Sequence, residues 1–175
     1  QFEIRADEMR TIDIIGVGTL TKVKRFDRFL EIVEDIKQTF PALRVTLVGD
    51  GAEMGRLREI IRRKNLDSTV VLSGLLKRSE VLELMRKSKI LLHTSESEGM
   101  GYVFLEAAAS GCCIASTPVG IAMQEEFSFV SSENEKLILQ ICVWLSEKQK
   151  FQKREVFAIE KTVSEYLVLY DRLTL

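Results

Sequence analysis

Apolar positions along the chain follow two alternating periods. Short runs in which most residues are apolar read as strands: Ile12-Asp13-Ile14-Ile15-Gly16-Val17, Arg44 to Val48, Thr69 to Leu72, Ile90-Leu91-Leu92 and Cys112 to Ala115. Between them, apolar residues recur at three- and four-residue spacing, as in Phe26, Phe29, Leu30, Val33 and Ile36, or Met54, Leu57, Ile60 and Ile61. That spacing puts the apolar side chains on one face of a helix. Phe40-Pro41 ends the first helix, and Ser79 is the expected N-cap of a third helix through Val81, Leu84 and Met85. Val103 to Ser110 reads as a fourth helix, and Phe127 to Val130 as a weaker sixth strand. Two helical stripes follow: Leu137, Ile138, Ile141 and Leu145, then Val163, Tyr166, Leu167, Tyr170 and Leu173.

Apolar strands joined by helices of this length make parallel βαβ units with both faces of the sheet covered. The expected fold is therefore α/β, a doubly wound Rossmann-like parallel sheet of about six strands with a helical C-terminal tail. The expected boundaries are a linker remnant over 1–10, the Rossmann-like domain over 11–150 and the tail over 151–175. A chain of 175 residues is long enough for one sizeable core. Because it begins at Gln1, it is expected to be part of something longer.

Composition narrows the function. With 46% hydrophobic and 29% charged residues the chain reads as a soluble globular protein, and a net charge of −1 argues against nucleic acid as a partner. Cys112, Cys113 and Cys142 lack zinc-ligand spacing and His93 is the single histidine, so no structural zinc and a reducing, cytoplasmic setting are expected. No run approaches the roughly 20 apolar residues that span a bilayer, and no signal peptide is recognisable.

The candidate chemistry lies where strands end. Gly16-Val17-Gly18 after the first strand is two thirds of a dinucleotide fingerprint, but the third glycine is replaced by Thr21, so a nicotinamide site is rejected. Lys22, Lys24 and Arg25 follow that turn, as a phosphate loop or as a solvated charge run. The stretch SESEGMGYVFLEAAASG, Ser95 to Gly111, is stronger. If Met100-Gly101-Tyr102-Val103 turns into a helix, its first amides and dipole form an anion site, and Gly99 and Gly101 let backbone approach a ligand. Glu106, one turn in, would aim a carboxylate at the same mouth and accept two hydroxyl hydrogens, while Glu98 stands just outside it. A phosphate flanked by two hydroxyl-bearing groups has the outline of a nucleotide-sugar. His93 is expected to be a satisfied structural residue, and Arg56, Arg58, Arg62, Arg63 and Lys64 a solvated helix face instead of a lipid contact.

SESEGMGYVFLEAAASG resembles the Glu-seven-residues-Glu signature of the group 1 (family four) retaining glycosyltransferases. VGTLTKVKRFDRFL, LVGDGAEMGRL, VVLSGLL, ASTPVG and VSEYLVLYDRL resemble other segments of that family in the same order, from about Ile14 to Leu173. The resemblance implies the carboxyl-terminal, donor-binding half of a GT-B enzyme, with the N-terminal acceptor domain outside this chain. It further implies a nucleoside diphosphate sugar as substrate and no cofactor. Glu106 would hold the ribose and Glu98 the transferred sugar, as the group closest to the chemistry. Lys24 and the amides of Gly101, Tyr102 and Val103 would hold the diphosphate, Gly18, Thr19, Gly99 and Met100 would complete the donor-binding set, and the base would lie against backbone near Leu76. The resemblance also implies a departing diphosphate stabilised by cations and amides instead of a metal, and the lack of an Asp-x-Asp motif is consistent with that. The full-length enzyme could also associate peripherally with a membrane.

The chain departs from the family at Thr19, where arginine is usual, at Arg25 for glycine, at Thr94 for proline and at Met100 for phenylalanine. Thr19 removes a charge-assisted clamp on phosphate, and it favours one rival reading, a non-catalytic sugar-nucleotide-binding or partner module. A sugar-nucleotide epimerase on the GT-B fold is a second rival. A signalling receiver domain fits worst, for want of an acidic cluster after the first strand.

Overall fold

The computed structural model describes residues 10–147. The chain runs β1 (Ile12–Val17), α1 (Phe26–Thr39), β2 (Val45–Val48), α2 (Met54–Arg63), β3 (Val70–Gly74), α3 (Arg78–Arg86), β4 (Ser88–His93), α4 (Tyr102–Ala109), β5 (Cys113–Ser116), β6 (Ser128–Val130) and α5 (Asn134–Ser146). A single 3-10 turn, Lys22–Lys24, precedes α1. The expected stripe of Val163, Tyr166, Leu167, Tyr170 and Leu173 lies outside the described residues, as does nearly all of the expected linker.

The strands form one sheet in the order β3-β2-β1-β4-β5-β6, and every pair is parallel. Side chains alternate across a strand, so neighbouring residues feed two cores. Ile14, Leu47, Leu92 and Cys113 face α1, α2 and α5, where Phe29, Ile36, Leu57, Ile61, Leu137 and Trp144 are buried with them. Ile15, Val48, Leu91 and Ile114 face the opposite side, against Met85 of α3 and Phe104, Ala107 and Ala108 of α4. The doubly wound reading thus holds, with all strands delivering their carboxyl ends to one edge.

Two details replace sequence expectations. Helix α3 is capped at Lys77, not Ser79: its backbone N–H donates to Glu80 Oε2 at 2.8 Å, so the carboxylate of the first turn does the capping. Gly16, the first glycine of the Gly-x-Gly pair, serves packing, since a Cβ there would stand 2.7 Å from the Phe29 ring. Among the described residues no helix is long and apolar enough to cross a membrane. Arg56 and Lys64 of the basic α2 region are paired within the chain, Arg56 with Glu53 and Asp27, Lys64 with Glu34.

Phe29 is fully buried beneath β1 and touches the edge of Phe26, with ring centroids 6.0 Å apart. Phe29→Ala is expected to destabilise the domain by about 3–5 kcal/mol. Guanidinium unfolding monitored by circular dichroism measures it; a loss under about 1 kcal/mol would contradict the packing described.

Candidate functional site

The strand order reverses between β1 and β4. From β1 the chain proceeds outward through β2 and β3, and from β4 it proceeds the other way through β5 and β6. The loops leaving the carboxyl ends of β1 and β4 therefore part and leave a crevice, the place where open α/β sheets bind ligands.

Those two loops are tied together at its base. The Glu96 N–H donates to the Val23 carbonyl at 2.9 Å, and the Thr94 hydroxyl lies 3.1 Å from the Lys24 carbonyl and 3.0 Å from that of Arg25. The Arg25 guanidinium reaches Glu96 at 2.5 Å and Asp27 at 3.1 Å. Arg25 itself sits in the left-handed region, φ 49 and ψ 45, as it turns from the 3-10 turn into α1. Glycine would adopt this conformation without a Cβ penalty. Here the strained arginine is held by its carboxylates, and Thr94, the other departure in this region, secures its carbonyl.

Lys24 and Glu98 meet across the crevice. The Lys24 ammonium binds Glu98 Oε1, with side chains 22% and 12% exposed. The lysine stem runs beside Gly18, where an added Cβ would stand 3.5 Å from Cε. Glu98 Oε1 also accepts from Ser95 Oγ at 3.0 Å and lies 2.8 Å from His93 Nε2. Burial raises the Glu98 pKa, but the Lys24 ammonium, the Ser95 hydroxyl and the His93 ring outweigh it and hold the carboxyl below the ordinary glutamate value. Burial pushes His93 below the ordinary imidazole value; Glu98 opposes this and Lys24 adds to it, so the ring is neutral at neutral pH. The expectation of a structural His93 is met in part: the side chain is satisfied, but its partner is Glu98.

The mouth of α4 adjoins this cluster. Gly101 caps the helix at φ 74 and ψ 54, and a Cβ there would lie 2.7 Å from the Phe104 ring, so glycine is required by the turn itself. A Cβ on Gly99 would meet nothing within 4 Å, which leaves that side open. The amides of Tyr102 and Val103 belong to the first turn, where no helical carbonyl precedes them. Met100 and Tyr102 are 52% and 66% exposed at the rim. One turn into α4, Glu106 Oε1 accepts from Arg78 Nε at 2.8 Å. Leu76, after β3, is partly buried and, like Val17 and Val103, packs against the core on this side of the sheet. Thr19 is exposed on the first loop. Among the described residues no group of three or more His, Cys, Asp or Glu is placed to hold a metal ion.

Sequence reasoning named Lys24, Glu98 and Glu106 but missed the partners Ser95 and Arg78. Ser95 stands within the quoted signature at the three-residue spacing of a local loop bond to Glu98. Arg78 gave no signal, because its pairing with Glu106 joins two segments that follow different strands.

The all-parallel six-stranded sheet with helices on both faces is a Rossmann-like domain of the kind found in GT-B proteins. The chain belongs to the glycosyl transferases group 1 family, whose model matches residues 1–157. It is similar to a phosphatidylinositol N-acetylglucosaminyltransferase subunit of Arabidopsis thaliana, at 29% identity over 109 residues, 62% of this chain and 24% of that protein. It is also similar to N-acetyl-alpha-D-glucosaminyl L-malate synthase of Bacillus anthracis, at 32% identity over 113 residues, 61% of this chain and 27% of that protein. The chain thus spans about a quarter of the length of these relatives. In fold it matches a point mutant of S. aureus TarM solved with Fondaparinux, alpha-GlcNAc-glycerol and UDP. The TM-score is 0.78 at 18% identity, over 97% of this chain and 38% of that one.

Two outcomes follow from this geometry. Arg25→Gly is expected to be more stable than Arg25→Ala by about 1 kcal/mol, since both lose the guanidinium and only alanine keeps the left-handed strain. Chemical denaturation of the pair measures it, and equal stabilities would contradict the strain. The second outcome concerns acid. The folded His93 binds its proton less readily than the unfolded chain does, so its contribution to stability is complete above about pH 6.5 and is lost as pH falls toward the folded value. The part of Glu98 is lost only further down, below the ordinary carboxylate range. Stability measured between about pH 7 and 5 should fall less steeply in His93→Gln than in the parent; parallel curves would contradict it.

Proposed function

We propose that this chain is the donor-binding domain of a glycosyltransferase that uses a UDP-linked N-acetylhexosamine. The observation that carries the reading is the Lys24–Glu98 pair at the sheet's reversal point, beside the amides that open α4. A cation and first-turn amides suit a diphosphate, and carboxylates suit sugar hydroxyls. The names of the relatives, both N-acetylglucosaminyl enzymes, and the UDP in the TarM structure supply the donor class.

In this reading the diphosphate lies between Lys24 and the amides of Tyr102 and Val103. Glu106 takes the ribose hydroxyls through the oxygen that Arg78 leaves open, and the base rests near Leu76. Glu98 binds the transferred sugar. As the glycosidic bond breaks, negative charge grows on the departing diphosphate, and the fixed amides and Lys24 stabilise it without reorganising. The acceptor is held by a second domain outside this chain, so the chain alone binds the donor and transfers nothing. The retaining outcome follows from the family resemblance. A non-catalytic sugar-nucleotide-binding module is the second reading, favoured by the exposed Thr19 on the first loop.

Calorimetric titration tests the division of labour. UDP is expected to bind more tightly than GDP or ADP. Glu106→Ala should weaken UDP by about 1.5–3 kcal/mol, the range for hydrogen bonds to a charged group. Lys24→Ala should weaken it by a similar amount that shrinks in high salt. Glu98→Ala should leave UDP binding unchanged or slightly tighter, because Lys24 is released from its carboxylate. Equal losses in Glu98→Ala and Glu106→Ala would overturn the assignment, as would UDP binding indifferent to Lys24.

A further inference from the structure

Three donors converge on one oxygen of Glu98. Lys24 Nζ, His93 Nε2 and Ser95 Oγ all meet Oε1, and no hydrogen bond among the described residues engages Oε2. The donors differ in how firmly they are held. Lys24 is a long flexible stem on a loop, and its charge is what a bound diphosphate would draw on. His93 ends β4, is 3% exposed, and stands edge-on to Phe104 with ring centroids 4.8 Å apart. Its carbonyl accepts from the Thr117 N–H at 3.0 Å, and the Thr117 hydroxyl donates to the Ser95 carbonyl at 2.7 Å. His93 and Ser95 are thus braced from the end of β5, whereas Lys24 is not.

We propose that His93 is a positioning residue for Glu98: its Nε2–H anchors Oε1 and keeps Oε2 presented to the donor sugar when Lys24 turns to the diphosphate. The proposal rests on the reading of Glu98 as the sugar contact. An ionised carboxylate only accepts hydrogen bonds, so Nε2 must carry a proton, and in the neutral ring Nδ1 is then bare. The ring does this while neutral. The charged groups that face it are Glu98 from its own loop and Lys24 from the loop after β1; α4 presents Phe104, and the end of β5 presents Ser116 and Thr117. A second cation would compete with Lys24 for the carboxylate, and a neutral N–H holds Glu98 without drawing the diphosphate toward it.

The test compares His93→Gln, whose amide N–H reaches to about where Nε2 stands, with His93→Met, similar in length but without a donor. Dissociation constants for UDP and UDP-GlcNAc are measured by calorimetry on this chain, with Glu98→Gln as the reference. His93→Met is expected to raise the UDP-GlcNAc constant about tenfold while the UDP constant moves by less than about twofold, and His93→Gln to stay within about threefold of the parent for both. Equal losses for both ligands in His93→Met would make His93 merely structural and overturn the proposal. So would equal behaviour of the Gln and Met variants. If Glu98→Gln leaves the ratio of the two constants unaltered, the sugar assignment of Glu98 fails and the proposal with it; if that ratio changes in Glu98→Gln and not in His93→Met, the proposal alone fails. Should His93→Met not fold, long-range nitrogen–proton spectra of the parent decide: the Nε2–H tautomer with and without UDP-GlcNAc is expected, and the Nδ1–H tautomer would overturn it.

Discussion

The pairing of β1 with β4 sets the geometry on which everything else at the carboxyl edge depends. Ile12, Ile14 and Ile15 lie in register with Ser88, Ile90 and Leu91, so the two strands end side by side while their loops turn in opposite directions. A crevice opens between the loops without any residue being dedicated to making it. What is dedicated is the tie across its floor, through the Glu96 amide, the Thr94 hydroxyl and the Arg25 guanidinium. Above that tie Lys24 and Glu98 come into direct contact.

The charges of the crevice pair with one another. Lys24 neutralises Glu98, and Arg78 neutralises Glu106. Leaving a half-buried carboxylate or ammonium without a partner is costly, and these pairs avoid that cost. In the proposed reading, a ligand would offer an anion to Lys24 and hydroxyl donors to the two glutamates. A phosphate alone would meet only the first demand and a free sugar only the second, whereas a diphosphate with a sugar at each end would meet both.

Much of the fold was legible in the chain. The fully buried strands read as apolar runs because both sheet faces are covered, and the helices read by their stripes, as with Phe29, Leu30, Val33 and Ile36 of α1. The N-cap of α3 was misplaced because the capping oxygen comes from Glu80 inside the first turn, and Ser79 makes the more familiar sequence signal. At the candidate site, the nearness of Glu98, Gly101 and Glu106 could be read from the chain because they lie in one contiguous stretch. Arg78 and the link from Thr94 to Arg25 were not, since each joins segments distant in sequence whose meeting depends on strand order. Arg25 read as a lost glycine, and it proved to be a residue in the glycine conformation held by two carboxylates.

The central claim is that a nucleoside diphosphate sits between Lys24 and the first turn of α4. An amide-resolved NMR titration with UDP tests it most directly. The largest shifts are expected on the backbone amides of Gly101, Tyr102 and Val103 and on the loop carrying Lys24, with β6 and α5 unmoved. Shifts confined to other loops, or spread evenly over the domain while those amides stay still, would contradict it.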